Sequence, residues 1–407
     1  MYGVKIAGIG IALPDWVVDN NEIAELLKAQ RAKIPSDVIL TKKQEEEFIT
    51  SDEWIRPRTG VITRRFAKPN ETTSDFAAIA GHAAWTDAYG DGLGIPDFLL
   101  TATVSPDNFT TPPLPAPVQR KMGIPTRIGK QQKLIGLISG EITLACNSFV
   151  SALTFGVALI QSGMCQRGLV IGADCMTRVN SWNRRSPFII LGDGAGAIVL
   201  EATEPEKTWF ADNSIFMGVD GGKDGEFEKL IINPAGGAAM PIQPEHLNPL
   251  VDLHMMFMKG DEVLKIMIKL FADEVIPAAL AKARKTLQQI YVLILHQANL
   301  RIIKGGLERL AAKNPGIAFL VISQDMPQGY IIQAKNAKPK HTITVYNSID
   351  HVGNTTSASL LIGLWEAREM GLVQPGMLVD LDAFGGGISW GNVLIHWGGI
   401  DQAPLTK

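Results

Sequence analysis

The sequence contains one pattern written twice. Residues 146–163 read CNSFVSALTFGVALIQSG, and five positions after Gly163 the apolar run GLVIGAD begins. Residues 354–371 read NTTSASLLIGLWEAREMG, and five positions after Gly371 the run GMLVDLD begins. Each copy is typical of a Ser/Ala-rich helix, a glycine that ends it and an apolar strand. Two matched spacings predict a chain built from two duplicated α/β units.

A charged segment near residue 205 separates two nearly equal halves of the chain. A length of 407 residues fits two or three domains, and we predict units at 1–204 and 205–407. Apolar runs alternate with helical patterns in both halves, at 98–104, 168–172, 291–295 and 376–381. This alternation predicts a layered α/β fold whose strands are buried on both faces.

The composition excludes several classes of protein. Lys and Arg number 38 against 41 Asp and Glu, a net charge of −3, so no basic excess is available for binding nucleic acid. The most apolar stretch, near residues 149–160, is too short and too often interrupted by Ser and Gly to cross a bilayer. The three cysteines lack the spacing of a metal site. We therefore expect a cytoplasmic protein with reduced thiols, no metal and no membrane or nucleic-acid partner.

Cys146 opens the first copy of the repeat, at the predicted start of a helix. That helix is apolar on nearly every side, which predicts burial. The helix dipole stabilises an anion at this end, so the position could lower the pKa of the Cys146 thiol and favour a nucleophilic thiolate. The alternative is a small buried hydrophobe, the commoner fate of a cysteine.

Three further features are candidates for chemistry. His296 follows the apolar run YVLIL, at the end of a strand where α/β folds place catalytic groups. Asn354 stands in the second copy where Cys146 stands in the first, although Asn also serves as a plain helix cap. The run AFGGGISWG at 383–391 would let backbone N–H groups approach a ligand oxygen, and its alternative is a tight turn. GDGAGA at 192–197 lacks dinucleotide-binding spacing.

Eight motifs along the chain carry a resemblance to a known family: SDEWIRPRTGVITRR, PNETTSDFA, ACNSF, GDGAGAIVL, MKGDEVLK, HQANLRII, GNTTSAS and AFGGGISWG. In this order they resemble the β-ketoacyl-acyl-carrier-protein synthase III branch of the thiolase-fold condensing enzymes. The resemblance implies a thiolase-like fold, in which two duplicated α/β halves form a layered α-β-α-β-α core. It also implies a ketosynthase, an acyltransferase that condenses a cysteine-bound acyl group with a malonyl- or β-ketoacyl-thioester in a Claisen-type reaction.

The same resemblance implies the roles of individual residues. It makes Cys146 the nucleophile, with His296 and Asn354 as its catalytic partners. The oxyanion hole would combine the N–H groups of Cys146 and Gly386. No metal or cofactor is implied, because coenzyme A or phosphopantetheine thioesters are the substrates.

The entrance and the partners are implied in the same way. Substrate and coenzyme A would contact Trp54, Arg58, Arg185, Gly260, Asp261, Ala298 and Arg301. An acyl carrier protein is acidic, and cations expected to help it dock are Lys265, Arg301 and Arg309. For Lys265 and Arg309, an ordinary surface charge is an equal alternative. Family members are homodimers, so a homodimer is expected.

Two stretches exceed the family pattern, residues 28–50 before SDEWI and residues 314–346 before GNTTSAS. Three hypotheses remain for the whole chain. The first is a decarboxylating synthase III that starts or extends acyl chains. The second, favoured by the added length, is a specialised-metabolism ketosynthase or cyclase that joins two acyl chains, as in polyketide or dialkylresorcinol-type pathways. The third is a catalytically silent partner of another ketosynthase, which the retained Cys-His-Asn set opposes.

Overall fold

The computed structural model describes residues 2–91, 94–128, 133–134, 136–211, 216–219, 226–248, 250 and 252–399. The strands are β1 (Gly3–Ala12), β2 (Trp16–Asp19), β3 (Thr63–Phe66), β4 (Phe98–Ala102), β5 (Arg127–Ile128), β6 (Lys133–Leu134), β7 (Ile138–Ile142), β8 (Arg167–Cys175), β9 (Asp193–Thr203), β10 (Phe216–Val219), β11 (Ile231–Ile232), β12 (Phe257–Met258), β13 (Ile290–Leu295), β14 (Ile317–Ile322), β15 (Tyr330–Gln333), β16 (His341–Tyr346), β17 (Leu378–Gly385) and β18 (Ser389–His396). The helices are α1 (Asn20–Ala32), α2 (Lys42–Glu46), α3 (Asp52–Thr59), α4 (Thr73–Tyr89), α5 (Pro115–Lys121), α6 (Ser148–Gln161), α7 (Arg185–Phe188), α8 (Gly260–Leu270), α9 (Ile276–Lys282), α10 (Leu300–Lys313), α11 (Ile349–Val352) and α12 (Ser359–Glu369).

Two mixed sheets form the frame of the molecule. The first has the order β1-β9-β8-β4-β7, and the second has the order β10-β18-β17-β13-β16-β14-β15. In the first sheet β4 lies parallel to both of its neighbours, β8 and β7, and β9 and β1 are joined antiparallel. In the second sheet β17, β13, β16 and β14 are parallel, and β15, β18 and β10 are joined antiparallel. All strands of the first sheet precede residue 204, and all those of the second follow residue 215.

The repeat read from the sequence corresponds to matching parts of the two sheets. The first copy forms α6 and β8, and the second forms α12 and β17. Both helices stop before a glycine in the left-handed region, Gly163 at φ 79° and Gly371 at φ 70°, a conformation that glycine adopts without steric cost. The predicted strands, the buried faces of β4, β8 and β17 and the duplicated α/β architecture are confirmed.

The layers follow from which side chains share a core. Side chains of α6 and α12 pack with both sheets in one cluster, so these two helices form the central layer. Helices α4 and α5 cover the outer face of the first sheet, and α9 and α10 cover that of the second. The order is therefore the predicted α-β-α-β-α, with α6 mostly buried and only Phe155 and Ala158 exposed.

The two stretches of extra length are ordered in different ways. Residues 314–346 add a strand pair, β14 and β15, beyond β16, so the second sheet is wider than the first. Residues 28–50 carry the end of α1 and the short α2, and a two-point ion pair between Arg31 and Glu45, at 2.7 and 2.9 Å, joins them. None of the helices in the described ranges has the length and apolarity needed to cross a membrane.

Candidate active site

Cys146 stands in a tight turn between β7 and α6. Ala145 before it adopts a left-handed φ of 49°, and the Ser148 hydroxyl accepts from the Leu144 N–H at 2.8 Å and donates to the Ala145 carbonyl. Helix α6 begins at Ser148 with Asn147 as its cap residue. The prediction that Cys146 opens the helix is therefore wrong by two residues, because this turn precedes the first helical residue.

The electrostatics of Cys146 also differ from expectation. Burial raises the pKa of its thiol to about 12, the charge of Asp174 adds to the increase, and a backbone hydrogen bond opposes it. The prediction that this position lowers the pKa of the thiol is therefore wrong, because loss of hydration is the largest contribution to the shift. The Cys146 thiol is protonated at neutral pH.

His296 follows β13 directly, as predicted. Its backbone N–H donates to the Asp382 carbonyl at 2.8 Å, and its ring makes an edge contact with Phe384, at 5.3 Å between centroids and 81° between planes. Burial lowers the pKa of His296 to about 3. The imidazole is therefore neutral over the whole physiological range and can donate or accept one hydrogen bond without carrying charge.

Asn354 joins the two halves. Its N–H donates to the Ile190 carbonyl at 2.8 Å, and its own carbonyl accepts from the Gly192 N–H at 3.0 Å. The side-chain oxygen Oδ1 accepts from the Thr356 N–H at 2.9 Å. A 3₁₀ turn at Thr356–Ala358 leads into α12, which begins at Ser359. The predicted helix start at Asn354 is therefore two residues too early for this turn and five too early for α12 itself, and the Asn354 side chain caps the turn, in line with the alternative of a cap residue.

These three residues line one cavity of about 200 Å³. The first half supplies Cys146 and the second half supplies His296 and Asn354. Phe384 and Gly385, from the glycine run, line the same wall. A nucleophile, a neutral imidazole and a side-chain amide that line one cavity form a set suited to covalent acyl transfer.

The glycine run lies against the backbone of Cys146. A Cβ on Gly385 would come within 2.6 Å of the Cys146 nitrogen, whereas one on Gly386 would meet the Ile231 side chain at 3.1 Å. Only a residue without a side chain fits at position 385. The part of Gly386 in an oxyanion hole remains a prediction.

The mouth of the cavity carries the predicted entrance residues. Trp54, Arg58, Gly260, Asp261, Ala298 and Arg301 all line it. The indole of Trp54 lies between two guanidinium groups, those of Arg58 at 4.5 Å and Arg185 at 4.1 Å. The added segment 28–50 holds Arg185 there, because the Glu47 carbonyl accepts from its backbone N–H at 3.0 Å and the Ile49 carbonyl accepts from its side chain at 2.9 Å.

The other two predicted docking cations lie outside the cavity lining. Lys265 is exposed on α8. Arg309 makes a two-point ion pair with Asp273, at 2.6 Å for both contacts, and Lys313 binds the same carboxylate. These cations hold the pKa of the Asp273 carboxyl well below its usual range, so the charge of Arg309 is already compensated.

Two residues that shape the site were not predicted from the sequence. Phe384 was read as part of a glycine loop, but its ring contacts His296. Asp174 is fully buried at the end of β8 and bonds to both halves of the molecule. A charged residue directly after the apolar run GLVIGA was the signal for Asp174, since buried carboxylates require several hydrogen-bond donors.

His351, three residues before Asn354 in the sequence, is the centre of a buried ion network. His351 Nδ1 contacts Asp350 at 2.8 Å and its Nε2 contacts Glu366 at 3.0 Å. Burial opposes the charge of His351, but hydrogen bonds to both carboxylates outweigh it and raise the pKa of His351 to about 9. His351 is therefore a cation at neutral pH.

This network predicts a loss of stability at alkaline pH. With a folded pKa of about 9 and an unfolded value near 6.5, the contribution of His351 is complete below pH 6.5 and disappears as pH rises through 9. The free energy of unfolding of wild type minus that of His351→Gln should shrink by about 3 kcal/mol over this window. Urea unfolding of both proteins at pH 6 and pH 9.5 measures it, and a pH-independent difference would contradict it.

Fold and site together define a class of protein. Two duplicated halves in five layers, with a cysteine from the first facing a histidine and an asparagine from the second, are the arrangement of a thiolase-fold condensing enzyme. The matching family models carry the description 3-oxoacyl-[acyl-carrier-protein] synthase III, at residues 141–220, and its C-terminal part, at residues 316–397.

Individual relatives agree with the family models. The β-ketoacyl-[acyl-carrier-protein] synthase III of Rhodobacter capsulatus is 34% identical over 364 residues, which cover 89% of this chain and 96% of that protein. The corresponding enzyme of Caldanaerobacter subterraneus subsp. tengcongensis is 32% identical over 365 residues, covering 89% and 95%. The crystal structure of the Aquifex aeolicus VF5 synthase III aligns with a TM-score of 0.70 at 28% identity, covering 97% of this chain and 100% of that one.

The chain belongs to the β-ketoacyl-acyl-carrier-protein synthase III family. It is a ketosynthase of the acyltransferase class.

Proposed function

We propose that Cys146 takes an acyl group from a thioester and that this acyl group then condenses with a malonyl-thioester. The main support for this proposal is that Cys146, from the first half, lines the same cavity as His296 and Asn354, from the second half. A covalent acyl-enzyme divides one difficult carbon–carbon bond formation into two easier steps. The reaction requires only these side chains and two thioester substrates.

In the first step the sulfur of Cys146 attacks the thioester carbonyl and the donor thiol leaves. Because burial keeps the Cys146 thiol protonated at rest, its proton passes to the leaving sulfur of the donor, which departs as a free thiol while the new carbon–sulfur bond forms. The oxygen of the tetrahedral intermediate would lie between the N–H groups of Cys146 and Gly386. Two such donors stabilise the developing negative charge without reorganising.

In the second step the malonyl group loses carbon dioxide and its enolate attacks the acyl-Cys146 carbonyl. The carbon–sulfur bond to Cys146 then breaks, and the released thiolate takes a proton from solvent to restore the thiol. The enolate oxygen needs donors that bring no negative charge. A neutral His296 and the free Nδ2 of Asn354 fit this role, since Asn354 Oδ1 is already occupied by the Thr356 N–H. An acyl group held in this cavity would be partly shielded from water, which would limit hydrolysis of the acyl-enzyme.

The carriers of the two substrates are inferred from the mouth of the cavity. A pantetheine arm would pass Gly260, Asp261 and Ala298. The cationic residues Arg58 and Arg301 at the rim would attract the phosphates of coenzyme A or an acidic acyl carrier protein, with Lys265 on the adjacent helix. To stack a nucleotide base on the face of Trp54 that Arg185 covers, the protein would have to displace Arg185.

One observation favours a second acceptor. Part of the cavity wall is apolar, formed by Ile231, Met258, Val263, Leu264 and Met267. These side chains would make more apolar contacts with an alkyl chain than with the short malonyl group. A β-ketoacyl-thioester acceptor, joined to the first acyl chain as in a specialised-metabolism ketosynthase, is therefore the second candidate.

The experiment offers a panel of acyl-coenzyme A and acyl-carrier-protein donors to the intact enzyme. Mass spectrometry should show one acyl adduct per chain with at least one donor. Malonyl-carrier acceptor should then release carbon dioxide and a condensed product from the acyl-enzyme. Product formed from a β-ketoacyl acceptor without carbon dioxide would favour the second candidate, and no adduct with any donor would refute the proposal.

We also propose that the enzyme is a homodimer. Strand β7 is the edge of the first sheet and its outer side has no strand partner in the described part of the chain. Its Ile138 and the nearby Phe155 of α6 are exposed apolar side chains. An unpaired edge beside apolar surface is a site where a second copy can add. Light scattering should give twice the mass of one chain, and a monomer would contradict this.

A further inference from the structure

Asp174 connects the two halves directly behind the candidate active site. Its carboxylate is fully buried and accepts six hydrogen bonds. Four reach Oδ1 from the first half, from the Thr103 hydroxyl, the Val104 N–H and the N–H and hydroxyl of Ser105, at 2.7 to 3.0 Å. Two reach Oδ2 from the second half, from the Thr356 hydroxyl and, at 3.0 Å, the Ser357 N–H.

The close approach of the two halves at this point depends on a glycine. A Cβ at Gly172, two residues before Asp174, would come within 2.3 Å of the Ser357 carbonyl oxygen. The end of β8 therefore lies directly against the turn at 355–358. The carboxylate of Asp174 can reach this turn without any intervening layer of side chains.

The backbone of Thr356 has a conformation that is unfavourable for threonine. Its φ is 47°, in the left-handed region that β-branched residues strongly disfavour. Its hydroxyl donates a hydrogen bond to Asp174 Oδ2, which links this residue to the first half of the molecule. A residue retained in such a region is commonly found where geometry serves function.

The same residue fixes the side chain of Asn354. The Thr356 N–H donates to Asn354 Oδ1 at 2.9 Å. This hydrogen bond fixes the orientation of the side-chain amide, with Oδ1 toward Thr356 and Nδ2 on the other side. Since Asn354 lines the cavity, Nδ2 is the atom available to a substrate. A different backbone conformation at Thr356 would release the amide and let it rotate.

We propose that Asp174 is a positioning residue for condensation, which acts through Thr356 to hold Asn354 Nδ2 toward the cavity. This inference rests on the proposed function, in which Asn354 donates to the enolate. It predicts that weakening the Asp174–Thr356 link harms condensation more than acyl loading, because loading requires Cys146 and the oxyanion donors but not Asn354.

The charge of Asp174 gives a second, independent readout. It contributes to raising the pKa of the Cys146 thiol. In Asp174→Asn the thiolate fraction at a given pH should increase, and iodoacetamide should alkylate Cys146 at lower pH than in wild type. Thr356→Val keeps the carboxylate, so its alkylation profile should match that of wild type.

The experiment compares two isosteric substitutions that each remove one hydroxyl bonded to Asp174. Thr356→Val removes the hydroxyl that donates to Asp174 Oδ2, on the residue whose N–H holds Asn354. Thr103→Val removes a hydroxyl that donates to Asp174 Oδ1, on a residue with no hydrogen bond to Asn354. The rate of condensation from preformed acyl-enzyme should fall about 10- to 100-fold in Thr356→Val, since a misplaced donor loses much of its effect. Thr103→Val should change it less than about threefold, and Thr356→Ser should restore most of the rate.

Acyl loading, followed by intact mass, should stay within about threefold of wild type in these variants and in Asp174→Asn. Equal loss of condensation in Thr356→Val and Thr103→Val would overturn the positioning role, as would equal loss of loading and condensation in Asp174→Asn. If Thr356→Val does not fold, Asp174→Asn decides alone. A wild-type enzyme that forms no adduct would instead refute the proposed function.

Discussion

Replacing Cys146 with alanine should abolish the covalent acyl adduct with every donor. The product of condensation should fall by about 10⁴-fold or more, because the variant has no nucleophile to carry the acyl group between the two steps. Intact-protein mass spectrometry measures the adduct, and carbon dioxide release from the malonyl acceptor measures the second step. The alanine side chain removes only the sulfur, so the fold and the cavity are expected to remain.

The other cysteines provide the matched control. Cys165 and Cys175 are both buried, and neither lines the cavity. Cys165→Ala should keep the adduct and the condensation, with only a loss of stability from the small cavity that it leaves. An acyl adduct that persists in Cys146→Ala and disappears in Cys165→Ala would mean that Cys165, which follows α6, is the nucleophile. The assignment of Cys146 would then be wrong.

The duplicated frame could be predicted from the sequence because it depends on spacing. Burial between two sheets requires apolar helices, and each such helix must end in a residue that turns the chain toward its strand. Gly163 and Gly371 mark those ends, and the runs at 168–172 and 376–381 mark the strands. Apolar periodicity and helix-ending glycines are local features of the sequence, so they can be recognised without the structure.

The helix starts and the charge of Cys146 could not be predicted in the same way. The turn that carries Cys146 depends on the Ser148 hydroxyl and on a left-handed Ala145, neither of which has a simple signal in the sequence. The pKa of the Cys146 thiol depends on its hydration and on the charge of Asp174. Asp174 is distant from Cys146 in the sequence and comes near it only in the folded chain. Long-range burial outweighed the local helix effect.

The two added stretches show the same division between local and tertiary information. Their extra length was visible, but its placement was not. Residues 314–346 widen a sheet with β14 and β15, whereas residues 28–50 reach the mouth of the cavity and hold Arg185 through backbone carbonyls. Backbone carbonyls are the same in every residue, so no side-chain pattern could have predicted the contact with Arg185.

Replacing His296 with alanine should separate the two half-reactions. Condensation from a preformed acyl-enzyme should fall by about 10²- to 10⁴-fold, the range for loss of a positioned proton-transfer or donor group. Acyl loading should fall by less than about tenfold, because it depends on Cys146 and the oxyanion donors. Single-turnover mass spectrometry follows loading, and product formation after a second mixing step follows condensation. His82→Ala, which changes an exposed histidine, is the matched control and should leave both steps intact.

The pH dependence distinguishes the neutral donor from a charged one. With its pKa lowered to about 3 by burial, His296 stays neutral above pH 4, so its protonation cannot limit condensation in the range of an ordinary histidine. The condensation rate from preformed acyl-enzyme should therefore show no acid limb near pH 6.5. A limb at that pH that disappears in His296→Ala would mean that the imidazole titrates in the acyl-enzyme. Equal losses of loading and condensation in His296→Ala would mean that the imidazole also serves the thiol, since one group can impair both steps only if both use it.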